Sequence, residues 1–190
     1  MYSLYSSENV IPDLVTVAKG LGGGYQPIGA VIARNEIYKT ICEHESGLAH
    51  GHTYIGHAIA CAAGVAIQKC LDDQLLDSVN DKGERLHAIL SEHFGEHPNI
   101  GDIRGRGLFF GLEFVMDRET KRPFPPEKGI PAKLKKAAME HRLICYPGGG
   151  DVDGRTGAHI LLAPPFIAED HHFEQLAEKL TSIFSRVFGL

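Results

Sequence analysis

Blocks of basic residues are missing from this sequence of 190 residues, which carries 19 basic and 24 acidic side chains and a formal net charge of −5. The densest basic stretch, 133–136, is typical of a solvated helix face. Without a stripe of lysine and arginine to follow a phosphate backbone, we expect no nucleic-acid partner. Arg104 and Arg106 alternate with glycine, but the apolar run after them favours a strand over an RNA contact.

Long apolar runs are also missing. No window approaches the ~20 uninterrupted apolar residues of a membrane span, so we expect no membrane partner. The first eight residues do not place a basic region before an apolar one, as a signal peptide does. The four cysteines form no C-x-x-C pair. They predict reduced, partly buried thiols in a cytoplasmic protein rather than a disulfide framework.

A metal-ligand pattern is absent as well. Four histidines lie within 44–57, but no cysteine or carboxylate accompanies them at a recognised spacing. Structural zinc needs four ligands and catalytic zinc usually three. We therefore expect no metal site.

What the first half does contain is two strand patterns and three helix patterns. The strand patterns are the apolar runs 14–18 and 28–33, and the helix patterns cover 36–43 (with Asn35 as its cap), 55–70 and 75–94. Two strands are too few for an independently stable sheet. The first half is therefore predicted to be the end of a larger α/β domain.

The composition shifts after Pro98. A long strand with glycine breaks, a helix, two strands and an amphipathic helix are predicted at 103–115, 134–141, 143–146, 159–163 and 173–187. This order is typical of a small α+β domain. We place a domain boundary between residues 97 and 98, so that 98–190 forms the small C-terminal domain.

Lys19 stands at the end of the first strand pattern, before the glycine-rich segment 20–24. Open α/β sheets bind ligands at the carboxyl ends of their strands. Desolvation there disfavours the ammonium form of a lysine, and the neutral amine attacks carbonyl carbons to form a Schiff base. The alternative is that the strand ends here and its lysine meets water.

His52 and Thr53 precede the helix pattern that starts near Ile55. A threonine hydroxyl and free amide groups at a helix N-terminus form a site for an anion such as phosphate. The alternative is that Thr53 is an ordinary N-cap of that helix.

Arg155 lies in the glycine-rich loop 148–157, just before a buried strand pattern. Flexible backbone around a lone arginine can present its guanidinium to a carboxylate. The alternative is a solvent-facing arginine in a mobile loop.

Five stretches, taken in order, resemble the class III aminotransferases, which are fold-type I enzymes that use pyridoxal 5′-phosphate. They are residues 12–30 (PDLVTVAKGLGGGYQPIGA), 52–54 (HTY), 101–108 (GDIRGRGL), 111–113 (GLE) and 163–166 (APPF). The first stretch is highly specific, and the others gain specificity from their order and spacing. The resemblance spans nearly the whole chain. It implies the C-terminal end of a fold-type I large domain, followed by a small α+β domain.

The resemblance also implies roles for four residues. Lys19 would hold the cofactor as a Schiff base and move a proton in the substrate. Thr53, with His52 beside it, would bind the cofactor phosphate, which in this family belongs to the partner subunit's site, so a homodimer is implied. Arg155 would contact the substrate carboxylate. The implied reaction moves an amino group between an amine or omega-amino acid and a keto acid such as pyruvate.

Members of this family are about twice as long as this chain, against the usual ~100–200 residues of a domain. The family's phosphate cup, the aromatic ring that stacks on the cofactor and the aspartate that pairs with its ring nitrogen all precede the lysine, and none has a counterpart here. We therefore expect a C-terminal portion that transaminates poorly alone. The alternatives are an aminomutase or decarboxylase on the same fold, and a truncated fragment without catalysis.

Overall fold

The structure, a computed structural model of the chain, describes residues 10–189. The chain divides into two compact units, Met1–Asp73 and Gln74–Leu190. Among the described residues, no helix is both long and apolar enough to cross a lipid bilayer.

The described part of the first unit contains two strands, a 3-10 turn and two helices. They are β1 (Leu14–Val17), the turn Lys19–Gly22, β2 (Ala30–Ala33), α1 (Asn35–Glu43) and α2 (Ala58–Cys70). The two strands pair antiparallel, with Leu14 opposite Ala33. Every residue of β2 is exposed, whereas β1 alternates between exposed residues and the partly buried Val15 and Val17.

Asn35 does not cap α1 as the sequence predicted, because the helix begins at Asn35 itself and Arg34 occupies the cap position. The Arg34 amide donates to the Asp13 carbonyl at 3.0 Å, and the Arg34 guanidinium pairs with the Asp13 carboxylate at 3.0 Å. These contacts extend the strand pairing through Arg34 and hold its backbone extended, so the helical turn starts one residue later.

The second unit contains a long helix, an antiparallel sheet and two further helices. They are α3 (Asp73–Phe94), β3 (Ile100–Arg106), β4 (Phe109–Asp117), β5 (Arg122–Pro123), α4 (Ile130–Glu140), β6 (Tyr146–Gly149), β7 (Ala158–Leu162) and α5 (Asp170–Phe188). The main strand order is β3-β4-β7-β6, and β5 pairs with the end of β4. The predicted α+β pattern is therefore present.

The compact units divide at Asp73, whereas the sequence placed a boundary between residues 97 and 98. The difference concerns α3. Its apolar face, formed by Leu86, Leu90 and Phe94, is buried in the same core as the sheet and α5. Residues that share one core belong to one compact unit, so α3 groups with the C-terminal elements.

The predicted long strand 103–115 is wrong in one respect, since it is a hairpin of β3 and β4 joined by Gly107 and Leu108. Gly107 has a φ of +52°, a conformation that a two-residue hairpin turn uses and that side chains disfavour. Because only two residues interrupt the pairing, the apolar pattern runs on through the turn and conceals it.

The strand predicted at 143–146 instead covers Tyr146–Gly149. Proline and glycine favoured an end to the strand at Pro147. However, β6 is an edge strand of the sheet, and proline is tolerated on edges, where its missing N–H is not needed by a neighbour.

The cysteines are unpaired, and Cys42, Cys61 and Cys70 are exposed rather than partly buried as predicted. Cys145 is half-buried, and desolvation raises the pKa of its thiol to about 11. Thiolate is the reactive form, so Cys145 is a poor nucleophile near neutral pH.

His97 predicts a pH dependence of stability. Its ring lies edge-on to Phe184 and Phe188, at centroid distances of 5.9 and 5.7 Å, and burial lowers its pKa below the ordinary 6.5. The unfolded chain therefore binds a proton more readily than the folded one. The contribution is fully present above about pH 6.5 and is lost as the pH falls through the lower folded value. Urea unfolding between pH 7.5 and 5 should show this decline.

His97→Asn is the matched variant for that measurement. An asparagine oxygen can replace the Nδ1 atom that accepts from the Asn99 amide at 3.1 Å, but it does not titrate in this range. The decline should be shallower in the variant. Equal slopes in both proteins would show that His97 is not responsible.

Candidate active site

Lys19 is the first residue of the 3-10 turn, and Ala18 alone separates it from β1. Its φ is +53°, in the left-handed region, where a side chain costs about 1–2 kcal/mol. Strain of this kind persists only where surrounding structure imposes it, and it concentrates at functional positions. Lys121 and Arg142 share this conformation in other turns, so the positive φ supports a functional role of Lys19 together with its place after β1.

The 3-10 turn is held by its own hydrogen bonds and by α2. The Leu21 amide donates to Ala18 at 3.1 Å, and the Gly23 amide donates to Gly20 at 3.0 Å. On the α2 side, a Cβ at Gly23 would lie 2.8 Å from Ile67 Cγ1, and one at Gly64 would lie 3.4 Å from a methyl of Ile28. Bare backbone at these glycines lets helix and turn approach closely.

The support from α2 yields a prediction with a matched control. Gly23→Ala and Gly24→Ala both place a side chain at positive φ, but only the alanine at 23 collides with Ile67, whereas position 24 has open space. We expect Gly23→Ala to be the more destabilising, by about 1 kcal/mol beyond the shared strain. It should also weaken the binding of ligands at Lys19. Thermal melts compare the two variants, and equal melting temperatures would contradict the proposed packing.

Lys19 itself is exposed. The sequence predicted a desolvated lysine at the rim of a buried sheet, and the described residues do not supply that cover. The physical reason is that, among the described strands, β1 pairs only with β2, and the residues of this ribbon are exposed or at most partly buried. Desolvation of Lys19 would have to come from something outside residues 10–189.

Thr53 lies in the turn 53–56, and α2 begins only at Ala58. The cap of α2 is His57, whose Nδ1 accepts from the Ala60 amide at 3.2 Å. Thr53 is therefore not the N-cap, and it lies in the turn before the helix rather than at the helix N-terminus, where the sequence predicted an anion site. No residue within 10–189 hydrogen-bonds the Thr53 hydroxyl, which leaves it available to a ligand.

His52 shapes the turn that carries Thr53. Its Nδ1 accepts from the Tyr54 amide at 3.3 Å, and its carbonyl accepts from the Ile55 amide at 3.1 Å. One ring nitrogen is thus engaged within the turn, and Nε2 is the atom that could face a ligand. Lys19, His52 and Thr53 all belong to the first unit, whose helix α2 follows the Thr53 turn and packs on the Lys19 turn.

Arg155 belongs to the second unit, in the loop between β6 and β7. The sequence described this loop as flexible, but the structure shows an internally bonded one. The Asp153 carboxylate accepts from the Arg155 and Thr156 amides at 2.9 and 2.6 Å. These bonds, with the Thr156 amide first, lower the pKa of Asp153. Sequence reasoning missed Asp153, although an aspartate two residues before Arg155 in a glycine-rich loop is a recognisable turn signal.

Arg155 lines a cavity of ≈ 290 Å³ with walls of proline, phenylalanine and glycine backbone. Its guanidinium has no ion-pair partner within the described chain. An unpaired arginine beside an apolar wall can bind a carboxylate that carries a hydrocarbon chain.

Arg104, by contrast, is fully paired. It lies on β3, and its guanidinium contacts the carboxylates of Asp102 and Glu113 at 2.7 Å each. These pairs raise its pKa, with Asp102 making the largest contribution. The glycine-arginine segment is therefore part of a strand, as predicted, and it joins two of the stretches that carried the family resemblance.

The histidines of 44–57 do not gather with other ligands. Within the described part of the chain, histidine, cysteine, aspartate and glutamate form no group of three or more that could hold a metal ion.

Comparison with known proteins identifies the family of this chain. The model of the family described as aminotransferase class-III matches residues 1–184. The chain belongs to the class-III aminotransferase family. An uncharacterized aminotransferase of Schizosaccharomyces pombe is 42% identical over 188 residues, which cover 98% of this chain and 41% of that protein.

Solved transaminase structures also match this chain. A PLP-bound aminotransferase mutant from Vibrio fluvialis matches with a TM-score of 0.86 and 30% identity, over 97% of this chain and 40% of that one. An (S)-enantioselective omega-transaminase from Thermomicrobium roseum matches with a TM-score of 0.85 and 31% identity, over 96% and 39%. The predicted family and fold class are confirmed, and this chain spans about two fifths of the length of these relatives.

Proposed function

We propose that this chain is the C-terminal portion of a pyridoxal 5′-phosphate-dependent aminotransferase. The reaction would move an amino group between an amine or omega-amino acid and a keto acid such as pyruvate. The observation that carries the proposal is Lys19, a free amine held at positive φ in the packed turn that follows β1 and Ala18. Family membership and the omega-transaminase among the structural matches support the reaction class.

The chemistry of the described donors fits the cofactor. A primary amine, the Nζ atom of Lys19, condenses with an aldehyde. The unpartnered hydroxyl of Thr53 and the ring of His52 are suited to donate to a phosphate. When bound, pyridoxal 5′-phosphate supplies an electron sink, which makes the proton on the amine-bearing carbon of a substrate easier to remove.

Lys19 has two tasks in this proposal. Its Nζ atom would hold the cofactor between turnovers. After a substrate amine has displaced that atom, it would take a proton from the amine-bearing carbon of the substrate and deliver the proton to another atom. A general base acts best when its pKa lies near the working pH, which for a lysine requires burial or a neighbouring positive charge. The exposure of Lys19 in this chain predicts that further polypeptide must cover it for efficient turnover.

Thr53, His52 and Arg155 bind rather than react. Thr53 and His52 hold the cofactor phosphate, across the interface of a homodimer of the complete enzyme. Arg155 orients substrates that carry a carboxylate, and its apolar cavity wall accepts the adjoining carbon chain. The cytoplasmic location is part of the same proposal, and the free thiols of the four cysteines support it.

Product analysis tests the reaction class. The chain is incubated with pyridoxal 5′-phosphate, 4-aminobutyrate and pyruvate, and the products are separated by mass spectrometry. Alanine and the aldehyde of the donor indicate amino transfer. Release of carbon dioxide indicates a decarboxylase, and an isomeric amine indicates an aminomutase.

A non-catalytic fragment is the second candidate, and the exposure of Lys19 and β2 favours it for the isolated chain. Its signature is a folded protein that yields none of these products, whether or not the N-terminal portion of a class-III relative is supplied. Product formed only after that portion is added would support the C-terminal-portion reading instead.

A further inference from the structure

The Arg155 loop contains two carboxylates, Asp151 and Asp153, yet neither pairs with the Arg155 guanidinium. Asp153 is engaged by backbone amides of the loop itself. Asp151 is engaged by the Nδ1 atom of His159, on β7. We propose that His159 is a positioning residue: by holding the Asp151 carboxylate, it keeps the guanidinium of Arg155 free for a carboxylate ligand.

The sheet is built to accept the His159 ring. His159 stands opposite Gly148 in the pairing of β7 with β6. A Cβ at position 148 would overlap the Nε2 and Cε1 atoms of His159, so a side chain there would displace the ring. Glycine at this position therefore opens the space that the imidazole occupies.

Asp151 is accommodated in a similar way. A Cβ at Gly157 would lie 3.1 Å from Asp151 Oδ2, and the φ of +99° at Gly157 is one that side chains rarely adopt. The amide of Gly157 donates to the Phe124 carbonyl at 2.9 Å, which fixes this end of the loop to the cavity wall. Two glycines thus make room for the two members of the pair.

Released from His159, the Asp151 carboxylate would compete for Arg155. The two residues lie on opposite arms of the loop, which are joined by a hydrogen bond from the Val152 amide to the Thr156 carbonyl at 3.4 Å. An arginine side chain is long enough to reach across such a loop. A carboxylate in the same loop has a high effective concentration and therefore competes with a carboxylate from solution. His159 therefore prevents an ion pair between Asp151 and Arg155, in addition to anchoring the loop to the sheet.

This inference rests on the proposed role of Arg155 in carboxylate binding. The test uses the 190-residue chain and sodium butyrate as the probe, with the Arg155 Nε–H and Thr156 amide signals followed by NMR. Arg155→Ala should abolish the butyrate response. His159→Ala should weaken butyrate binding by about fivefold, the upper end for one exposed ion pair. His159→Asn, which keeps a donor near the Nδ1 position, should stay close to the starting chain.

The decisive variant is the double substitution His159→Ala with Asp151→Asn. If Asp151 competes for Arg155, removing its charge should restore butyrate binding to within about twofold of the starting chain. A merely structural role of His159 predicts the opposite, because the double variant would then bind as weakly as His159→Ala or more weakly. Unchanged signals from β4 and α5 show that each variant has folded.

The outcomes separate the two proposals. If Arg155→Ala leaves the response to butyrate intact, or if the starting chain shows no response, the role of Arg155 fails and this inference fails with it. If Arg155→Ala abolishes binding but His159→Ala does not weaken it, or the double variant is not restored, only the role of His159 is overturned.

Discussion

Lys19→Ala should abolish covalent attachment of pyridoxal 5′-phosphate to this chain, and Lys39→Ala should leave it unchanged. Both lysines are exposed and lie in the first unit, but only Lys19 occupies the packed turn after β1. The absorbance band that forms when the cofactor joins a lysine is the measurement. The band should appear for the starting chain and for Lys39→Ala, but not for Lys19→Ala.

The same substitution should remove amino transfer by any assembly that contains this chain. Loss of a positioned proton-transfer group alone costs about 10²–10⁴-fold in rate, and loss of the attachment point adds to that. Equal absorbance or equal turnover in the Lys19→Ala and Lys39→Ala proteins would show that Lys19 is not the reactive amine.

The largest expected effect on stability is at Phe184. This ring is 1% exposed, and its centroid lies 5.0 Å from that of Phe94 and 5.2 Å from that of Phe114, so α5 packs through it onto both α3 and β4. Phe184→Ala removes these contacts and leaves a cavity. The free energy of unfolding should fall by about 3–5 kcal/mol, a large share of the ~5–15 kcal/mol typical of a domain.

Urea unfolding followed by circular dichroism measures this loss. Met139→Ala is the control, because Met139 is 63% exposed on α4 and should change the free energy by less than about 0.5 kcal/mol. If Phe184→Ala proves too unstable to purify, Phe184→Leu should show a smaller loss in the same direction. Similar unfolding midpoints for Phe184→Ala and Met139→Ala would contradict the described core.

Strongly periodic elements were predictable from the sequence. The apolar spacing of α3 and α5 identifies both helices, because one buried face imposes a period on the sequence. The apolar run at 14–18 identified β1. The five stretches that resemble class III aminotransferases predicted the family, which the family match confirms.

Tertiary contacts determine several ends of helices and strands that the local sequence pattern did not predict. Pro147 and the glycines after it favoured an end to β6, yet the edge position of that strand tolerates them. Thr53 has the chemistry of a cap, but His57 provides the acceptor for α2. The start of α1 depends on a contact between Arg34 and Asp13, residues separated by a whole strand and turn.

The candidate site was predictable only in part, because some of its features depend on tertiary contacts. The place of Lys19 after a strand pattern and before glycines is local information, but only the family resemblance favoured a reactive lysine over one that meets water. The exposure of Lys19 depends on which strands flank β1, and the apolar pattern of 14–18 does not indicate the neighbouring strands. The pairing of Asp151 with His159 crosses from a loop to a strand and becomes visible only when the register of β6 and β7 is known.

The most direct test of the account is the identity of the residue that carries the cofactor. The chain, alone and together with the N-terminal portion of a class-III relative, is mixed with pyridoxal 5′-phosphate, reduced with borohydride, digested and mapped by mass spectrometry. The account predicts the cofactor's added mass on the peptide that contains Lys19. Modification of another lysine instead, or of none in either preparation, would contradict it.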